Sequence, residues 1–170
     1  MPTSARCLTE VERAWLAAIT DGEGCIRINR TRRKATKAGW RYYPVIEFTN
    51  TSKVLVDKFV ALTEGWVTRI REYASDHFYE NAKRRFQVEI RNRSCEDFLH
   101  AVRPYLLAKG EQADLMLEFV ALQDKEGKKK KSLVSVYNEF YVRSRVLNAR
   151  GTKEIDVAQL KADIQPQSSV

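Results

Sequence analysis

Apolar and polar residues alternate along several segments of the chain, with the period of two that is typical of half-buried strands. In residues 25–31, for example, Ile26 and Ile28 are separated by an arginine and an asparagine. Similar patterns predict further strands over residues 42–50, 66–73 and 84–91. Pro44 lacks a backbone N–H, which favours an edge position or a bulge for the second of these strands.

Helical segments are marked by their caps and by apolar residues three to four positions apart. Thr9 and Glu12 form a capping box for a helix that should run to about Asp21, where Gly22 and Gly24 are expected to break it. A second predicted helix starts at Thr51 or Ser52 and runs to residue 63, and a third starts at Ser94 and is interrupted at Pro104. Two more are predicted over residues 111–123 and 133–147.

The predicted order is therefore α-ββ-α-ββ-α followed by additional helices. This is an α+β fold in which an antiparallel sheet carries helices on one face only. The other face presents Arg, Asn, Gln and Glu side chains, and it suits the major groove of DNA, which admits a two-stranded ribbon. We expect one domain over residues 8–150 and a C-terminal extension or tail over residues 151–170.

Charge changes this picture, because the formal net charge of +8 is concentrated in two segments. Residues 27–41 contain seven basic and no acidic residues, and residues 125–153 contain nine basic and two acidic ones. Clustering of this kind is typical of proteins that bind a polyphosphate. A solvated basic surface is the alternative, and the basic charge alone does not decide between the two.

Composition gives little support to several other functions. With three cysteines, two histidines and no CxxC pair, the chain lacks the ligands of a structural zinc site. No apolar run approaches the roughly 20 residues that cross a bilayer, and no secretory signal pattern is present at the start. We therefore expect an intracellular protein of the cytoplasm or nucleoid, or of an organelle in a eukaryote, without a membrane partner.

The segment Leu16-Ala17-Ala18-Ile19-Thr20-Asp21-Gly22-Glu23-Gly24 resembles the LAGLIDADG motif of a homing endonuclease family position for position, with Thr20 as the one polar intrusion. Residues 45–51 and 107–112 are similar to two further segments of the family, and the resemblance covers about residues 10–123. It implies the αββαββα LAGLIDADG fold, whose sheet forms a DNA-binding saddle. It also implies an intron-encoded, site-specific endonuclease that makes double-strand breaks in DNA by metal-dependent phosphodiester hydrolysis.

Small residues at four-residue spacing mark one face of the first helix: Ala14, Ala18 and Gly22. Such residues let two helices approach closely, and the second helix can belong to a partner or to the chain's own core. Only one copy of the motif is present, so the resemblance favours a homodimer through this helix. A homodimer in turn implies a long palindromic or pseudo-palindromic DNA site.

Glu23 is the candidate catalytic acid and metal ligand. Mg²⁺ prefers carboxylate and phosphate oxygens and can activate water for attack on a phosphodiester, and Mn²⁺ is expected to substitute for it. The resemblance implies that the backbone carbonyl of Gly22 joins the metal shell, whereas Asp21 is expected to serve the helix end. The supporting catalytic candidates are Asn50, which would order water, and the basic residues Lys53 and either Arg91 or Arg93. In an isolated sequence, an acid in a polar turn is the alternative for Glu23.

The candidates for base recognition are strand residues whose side chains share the polar face. They are Arg27, Asn29, Thr31, Arg33, Tyr43, Glu47, Arg69, Arg71, Arg85, Gln87 and Glu89. Arginine pairs with guanine, asparagine or glutamine with adenine, and glutamate with cytosine. A strand of about eight residues spans roughly 27 Å, so two subunits cover on the order of 16 to 22 base pairs. The four lysines at 128–131 contact phosphates or form a solvated loop.

Two other functions remain open on the same scaffold. An RNA-splicing maturase would bind its own intron RNA without Mg²⁺-dependent cutting of DNA. A catalytically inactive DNA-binding regulator would bind equally well with or without Glu23. Glu23 favours the nuclease, because a pure binding protein needs no acid at that turn.

Overall fold

The computed structural model describes residues 7–32, 40–74, 83–126 and 134–149, together with residue 158. Arg33, the lysines at 128–131 and most of the 151–170 tail lie outside the described residues. The elements are α1 (Glu10–Glu23), β1 (Gly24–Arg32), β2 (Trp40–Asn50), α2 (Lys53–Leu62), β3 (Val67–Tyr73), β4 (Arg85–Arg91), α3 (Ser94–Val102), α4 (Gly110–Glu126) and α5 (Val134–Leu147). The predicted α+β class and αββαββα order are confirmed.

The four strands form one antiparallel sheet in the order β1-β2-β4-β3. On β1 the alternate residues Gly24, Ile26 and Ile28 are buried, as the period of two predicts, whereas β2 is buried at every position from Pro44 to Phe48 and β4 from Val88 to Ile90. The main core includes Phe48 of β2, which stacks on Phe59 of α2 at 4.7 Å between ring centroids, and Phe98 of α3. In the described part of the chain, no helix has both the length and the apolar character needed to cross a bilayer.

Helix α1 begins as predicted but ends later. The capping box forms, because the Thr9 side chain accepts a hydrogen bond from the Glu12 N–H and the Glu12 carboxylate accepts one from the Thr9 N–H. The predicted end near Asp21 is wrong, since Gly22 is helical and only Gly24 terminates the helix. A Cβ on Gly24 would lie 2.7 Å from the carbonyl oxygen of Thr20, so the backbone of the preceding turn leaves no room for a side chain there.

The edge position that Pro44 favoured is also wrong, because β2 lies in the interior of the sheet between β1 and β4. Pro44 is opposite Ile28 of β1, and the Ile28 N–H donates to the Ser144 hydroxyl at 2.9 Å, on the far side of β1. The backbone polar groups of Pro44 therefore point toward β4. The ladder with β4 stops one residue short of Pro44, so the missing N–H costs no strand hydrogen bond there.

Helix α5 covers the outer edge of β1. Besides the Ser144 contact, the Asn148 side-chain amide just after α5 donates to the Ile26 carbonyl at 2.9 Å. A second apolar cluster joins the helices to this end of the sheet through Tyr42, Phe119 and Tyr137. The edge that a free β1 would offer to another strand is thereby occupied.

The predicted breaks and caps of the other helices are partly correct. Pro104 does interrupt the helical run, in a single 3-10 turn spanning Arg103–Tyr105. Ser94 does not cap α3, because it is the first helical residue and Arg93 precedes it without a side-chain capping bond. Ser52 is the residue that caps α2 by position, but its hydroxyl makes no capping bond.

Candidate nucleic-acid interface and catalytic site

The polar face of the sheet collects the residues that alternate with the buried ones. On β1 and β2 these include Arg27, Asn29, Thr31, Tyr43 and Glu47, and on β4 and β3 they include Arg85, Gln87, Glu89, Arg91, Arg69 and Arg71. The fold therefore places the described candidates for base recognition on one surface, spread over four adjacent strands. No helix covers this surface among the contacts of the described elements, since the helices pack on the opposite face.

Side chains on this surface hold one another in place. Arg27 binds the Glu47 carboxylate at 2.6 Å, and its Nε donates to the Asn29 side-chain oxygen at 2.9 Å. On the other half of the sheet, Arg71 donates to the Tyr73 hydroxyl at 3.2 Å. The hydrogen bond to Tyr73, together with the nearby carboxylates, raises the pKa of Arg71 above its usual value. Arg27 and Arg71 are therefore oriented by neighbouring side chains before any partner arrives.

Arg30, although part of the basic segment 27–41, lies on the other face. Its guanidinium sits 4.1 Å from the ring centroid of Trp40 and 4.9 Å from that of Tyr141 in α5. Cation–π contacts with two rings hold α5 against the end of the sheet. The positive charge of this segment is thus divided between the polar face and a structural contact.

Glu23 is exposed and is the last residue of α1, directly before β1. Its neighbour Gly22 is exposed too, and a Cβ built on Gly22 would meet no atom within 4 Å beyond its chain neighbours and the backbone of its own helix. Within the described residues, no group of three or more His, Cys, Asp or Glu side chains forms a complete metal site. The chain thus offers the accessible Glu23 carboxylate and backbone carbonyls at this helix end. Hard oxygen donors of this kind fit a Mg²⁺ ion that keeps several waters and also binds a phosphate.

Asp21 serves a different purpose from Glu23. Its carboxylate accepts hydrogen bonds from the backbone N–H groups of Leu107 and Lys109, at 2.7 and 2.9 Å. In return, the Lys109 ammonium donates to the carbonyl oxygen of Asp21. These contacts bring a positive charge to the end of α1, within two residues of Glu23.

Lys109 was not among the candidates that the sequence suggested. It lies 88 residues from Asp21, and no periodicity predicts a contact over that distance. The signal in the sequence was its place in segment 107–112, one of the segments similar to the endonuclease family. The sequence had instead suggested Lys53 at the start of α2, and Arg91 or Arg93 near the end of the fourth strand, as the basic catalytic residues.

Asn50 and Lys53, the candidates at the start of α2, both have partners. The Asn50 side-chain oxygen accepts a hydrogen bond from the Ser52 N–H at 2.8 Å and so shapes the turn into α2. Lys53 forms an exposed i,i+4 ion pair with Asp57 at 2.6 Å. The predicted roles in ordering water and supplying charge remain predictions.

Arg91 and Arg93 occupy different environments, which bears on the choice left open between them. Arg91 is on the polar face, where it pairs with Glu89 and lies 5.8 Å from the ring centroid of Tyr43. Arg93 is largely exposed beyond the end of β4, and its guanidinium is 3.7 Å from Asp124 of α4. Arg91 therefore belongs to the surface that carries the base-recognition candidates, and Arg93 does not.

The small-residue face of α1 is separate from the face that packs into the core. Leu16, Ala17 and Thr20 are buried, whereas Ala18 and Gly22 are exposed and Ala14 is half-buried. Val11, one turn before Ala14, has 78% of its surface exposed. The chain's own core therefore leaves this face of α1 uncovered.

Comparison of the whole fold with solved structures finds homing endonucleases. The chain matches I-CvuI, solved in complex with its DNA target, with a TM-score of 0.69 and 17% identity over 89% of this chain and 91% of that one. It matches the archaeal intron-encoded homing endonuclease I-Vdi141I, solved with DNA, with a TM-score of 0.70 and 12% identity over 91% of this chain and 95% of that one. The LAGLIDADG homing endonuclease I-SmaMI is matched with a TM-score of 0.63 and 17% identity, over 92% of this chain but 49% of that one.

These likenesses establish the fold: the chain has the fold of the LAGLIDADG homing endonucleases. At sequence level, no protein-family model matches the chain and no curated protein matches it.

Proposed function

We propose that the protein is a homodimeric, divalent-metal-dependent homing endonuclease that cuts both strands of double-stranded DNA at a long, pseudo-palindromic site. The observation that carries the proposal is the place of Glu23. Glu23 is the last residue of α1, the helix whose small-residue face is uncovered, and its carboxylate is accessible. It lies two residues after Asp21, which Lys109 contacts, and directly before β1, the first strand of the polar sheet face.

The uncovered face of α1 supports a dimer through that helix. Two such faces, packed on each other, would bury Val11 and bring the two Gly22 backbones close together. Each subunit would then supply one Glu23 at the twofold axis, so two carboxylates would serve two DNA strands. The size relations agree, because one copy of this chain corresponds to nearly all of I-CvuI but to about half of I-SmaMI.

Glu23 and the Gly22 carbonyl would hold a divalent cation, Mg²⁺ or Mn²⁺, together with a phosphate of the DNA. When bound there, such a cation supplies Lewis-acid activation of water and neutralises charge on the scissile phosphate. Lys109 would add a fixed positive charge at the same helix end, where negative charge increases as the phosphodiester is attacked. Asp21 acts through Lys109, because its carboxylate and its backbone carbonyl both hold that residue in place.

The polar sheet face would follow the DNA groove on each side of the dimer axis. Strand β2 has 11 residues, which at about 3.3 Å per residue span about 36 Å, close to 11 base pairs at roughly 3.4 Å each. Two subunits therefore cover on the order of 20 base pairs. Base recognition would come from arginine, asparagine and glutamine side chains on this face, and the lysines at 128–131 would contact phosphates.

The test is cleavage of a pooled double-stranded DNA library, with Mg²⁺ and separately with EDTA, followed by sequencing of the new ends. The proposal expects breaks in both strands at one sequence of about 20 base pairs, absent with EDTA. A library that stays intact with Mg²⁺, although the protein selects one DNA sequence from it, would instead indicate a DNA-binding regulator. Selective binding of the chain's own intron RNA, without DNA cutting, would indicate a maturase.

A further inference from the structure

Two glutamates lie side by side in the middle of the polar sheet face. Glu47 of β2 and Glu89 of β4 are directly opposite each other in the antiparallel register, and their residues are only 9% and 1% exposed. Carboxylates repel DNA phosphates, so their presence on a DNA-binding surface calls for a physical reason. Burial indicates what that reason is: a buried carboxylate is stable only where cations pair with it, so these two glutamates serve to hold neighbouring cations.

Three arginines surround the two carboxylates. Arg27 binds Glu47 at 2.6 Å, the Nη1 atom of Arg71 is 3.6 Å from one oxygen of Glu89, and Arg91 pairs with the other oxygen of Glu89. The arginine side chains are 29–39% exposed, whereas the Glu89 side chain is 2% exposed. The guanidinium groups therefore form the outer layer of this surface, and the carboxylates lie beneath them.

Glu89 differs from Glu47 in holding two arginines, on strands β3 and β4. The contacts continue from Arg71 to the Tyr73 hydroxyl, and from that hydroxyl to the side-chain oxygen of Gln87 at 2.8 Å. Four side chains on the outer surface are thus linked to one buried acid. Because the Glu89 side chain is only 2% exposed and lies beneath these arginines, a cytosine can reach its carboxylate, as the sequence had suggested, only if the arginines move aside.

We propose that Glu89 is a positioning residue for DNA recognition, which fixes Arg71 and Arg91 in the orientation that contacts base edges; this proposal rests on the proposed function. An arginine that is already fixed loses little conformational freedom on binding. If such an arginine turned toward a wrong base, the Glu89 carboxylate would be left buried and unpaired, which costs free energy. This cost weakens binding to the wrong sites and so raises the discrimination between sites. Glu89 is therefore expected to raise affinity for the cognate site relative to other sites, and not affinity for unrelated DNA.

The test compares Glu89→Gln with the wild-type protein on the selected DNA site and on all its single base-pair variants. The glutamine keeps the size of the side chain but removes the charge that holds the two guanidiniums. Discrimination at the base pairs under Arg71 and Arg91 should fall by about 10-fold, the contribution of a well-oriented arginine contact. Affinity for unrelated DNA should stay the same or rise, since a negative charge has been removed.

Glu72→Gln is the matched control. Glu72 is on β3 of the same sheet and also pairs with an arginine, Arg84 at 2.9 Å, but this pair is exposed and Glu72 lies opposite Phe86, away from the polar face. Its specificity profile should match that of the wild type. A purely structural role for Glu89 would lower the melting temperature and weaken binding to all sequences equally, and that result would overturn the proposal.

Arg71→Lys keeps the proposal testable if Glu89→Gln does not fold. Lysine retains the charge but not the planar guanidinium that Glu89 and Tyr73 orient. Loss of discrimination at the base pairs under Arg71 supports the proposal, and a profile identical to that of the wild type overturns it. If the wild-type protein itself shows no sequence preference in binding, the proposed function fails first, and that outcome is distinct from an unchanged profile in the variants.

Discussion

Adding one methyl group at Gly22 should separate the stability of the subunit from its assembly. Gly22 is in the last turn of α1, and a Cβ there would meet no atom within 4 Å beyond its chain neighbours and the backbone of its own helix. Alanine favours a helix over glycine by up to about 1 kcal/mol. The isolated subunit should therefore gain about 0.5–1 kcal/mol in Gly22→Ala.

The dimer should respond in the opposite direction. If two α1 helices pack through their small-residue faces, each subunit inserts one methyl group at the closest approach of the helices. Overpacking costs about 1–3 kcal/mol per site, so two sites cost about 2–6 kcal/mol, and the dimer dissociation constant rises by about 30-fold or more. Gly24→Ala is the matched control, because its Cβ would lie 2.7 Å from the Thr20 carbonyl oxygen inside the subunit.

Sedimentation velocity over a dilution series measures assembly, as a shift from twice 19.7 kDa to 19.7 kDa. Urea unfolding at concentrations where the variants are monomeric measures the stability of the subunit. We expect Gly22→Ala to be a stable monomer that does not cut DNA, and Gly24→Ala to lose stability at every concentration. A Gly22→Ala protein that dimerises and cuts like the wild type would refute the assignment of this face as the interface.

Three further predictions follow from the contacts. Lys109→Met should lower the single-turnover cleavage rate by about 100- to 1,000-fold while DNA affinity changes little. Lys125→Met, at the other end of α4, is the control and should cut at the wild-type rate. Equal cleavage rates in the two variants would exclude a catalytic role for Lys109. Arg30→Met should lower the free energy of unfolding by about 1–2 kcal/mol without weakening DNA binding, whereas Arg27→Met should weaken DNA binding. Weaker DNA binding in Arg30→Met and unchanged binding in Arg27→Met would mean that the two faces of β1 are wrongly assigned. Burial raises the pKa of the Cys95 thiol from 9.0 to about 12. As pH rises, the thiol therefore loses its proton in the unfolded chain before it does so in the folded chain. Above about pH 9 this difference should lower the free energy of unfolding by about 1.4 kcal/mol per pH unit. Urea unfolding at several alkaline pH values should show a shallower decline in Cys95→Ala, and equal slopes would contradict the burial of a protonated thiol.

Local signals in the sequence predicted most of the fold. The capping box of Thr9 and Glu12 placed the start of α1, because its hydrogen bonds join residues only three apart. Alternation of apolar and polar residues predicted which side chains of β1 and β4 share the polar face. The place of β2 in the sheet was not predictable from Pro44, since a proline is tolerated wherever the neighbouring strand has already ended.

Contacts between distant residues account for what the sequence did not predict at the site. Lys109 reaches the end of α1 only because the segment before α4 folds back onto Asp21. The burial of Glu89 depends on arginines from two strands meeting over it, and its own sequence neighbourhood resembles that of any polar strand position. Glu23 became a candidate only through the motif resemblance, because an exposed acid at a helix end has no distinctive local pattern.

The single-turnover cleavage rate of Glu23→Gln on the selected DNA site in Mg²⁺ shows whether Glu23 is the catalytic carboxylate. Glu10→Gln, at the exposed opposite end of the same helix, removes an equal charge and serves as the control. We expect Glu23→Gln to bind the site but to cut it at least about 100-fold more slowly, while Glu10→Gln cuts at close to the wild-type rate. Equal cleavage by the two variants would contradict the claim that Glu23 is the catalytic carboxylate.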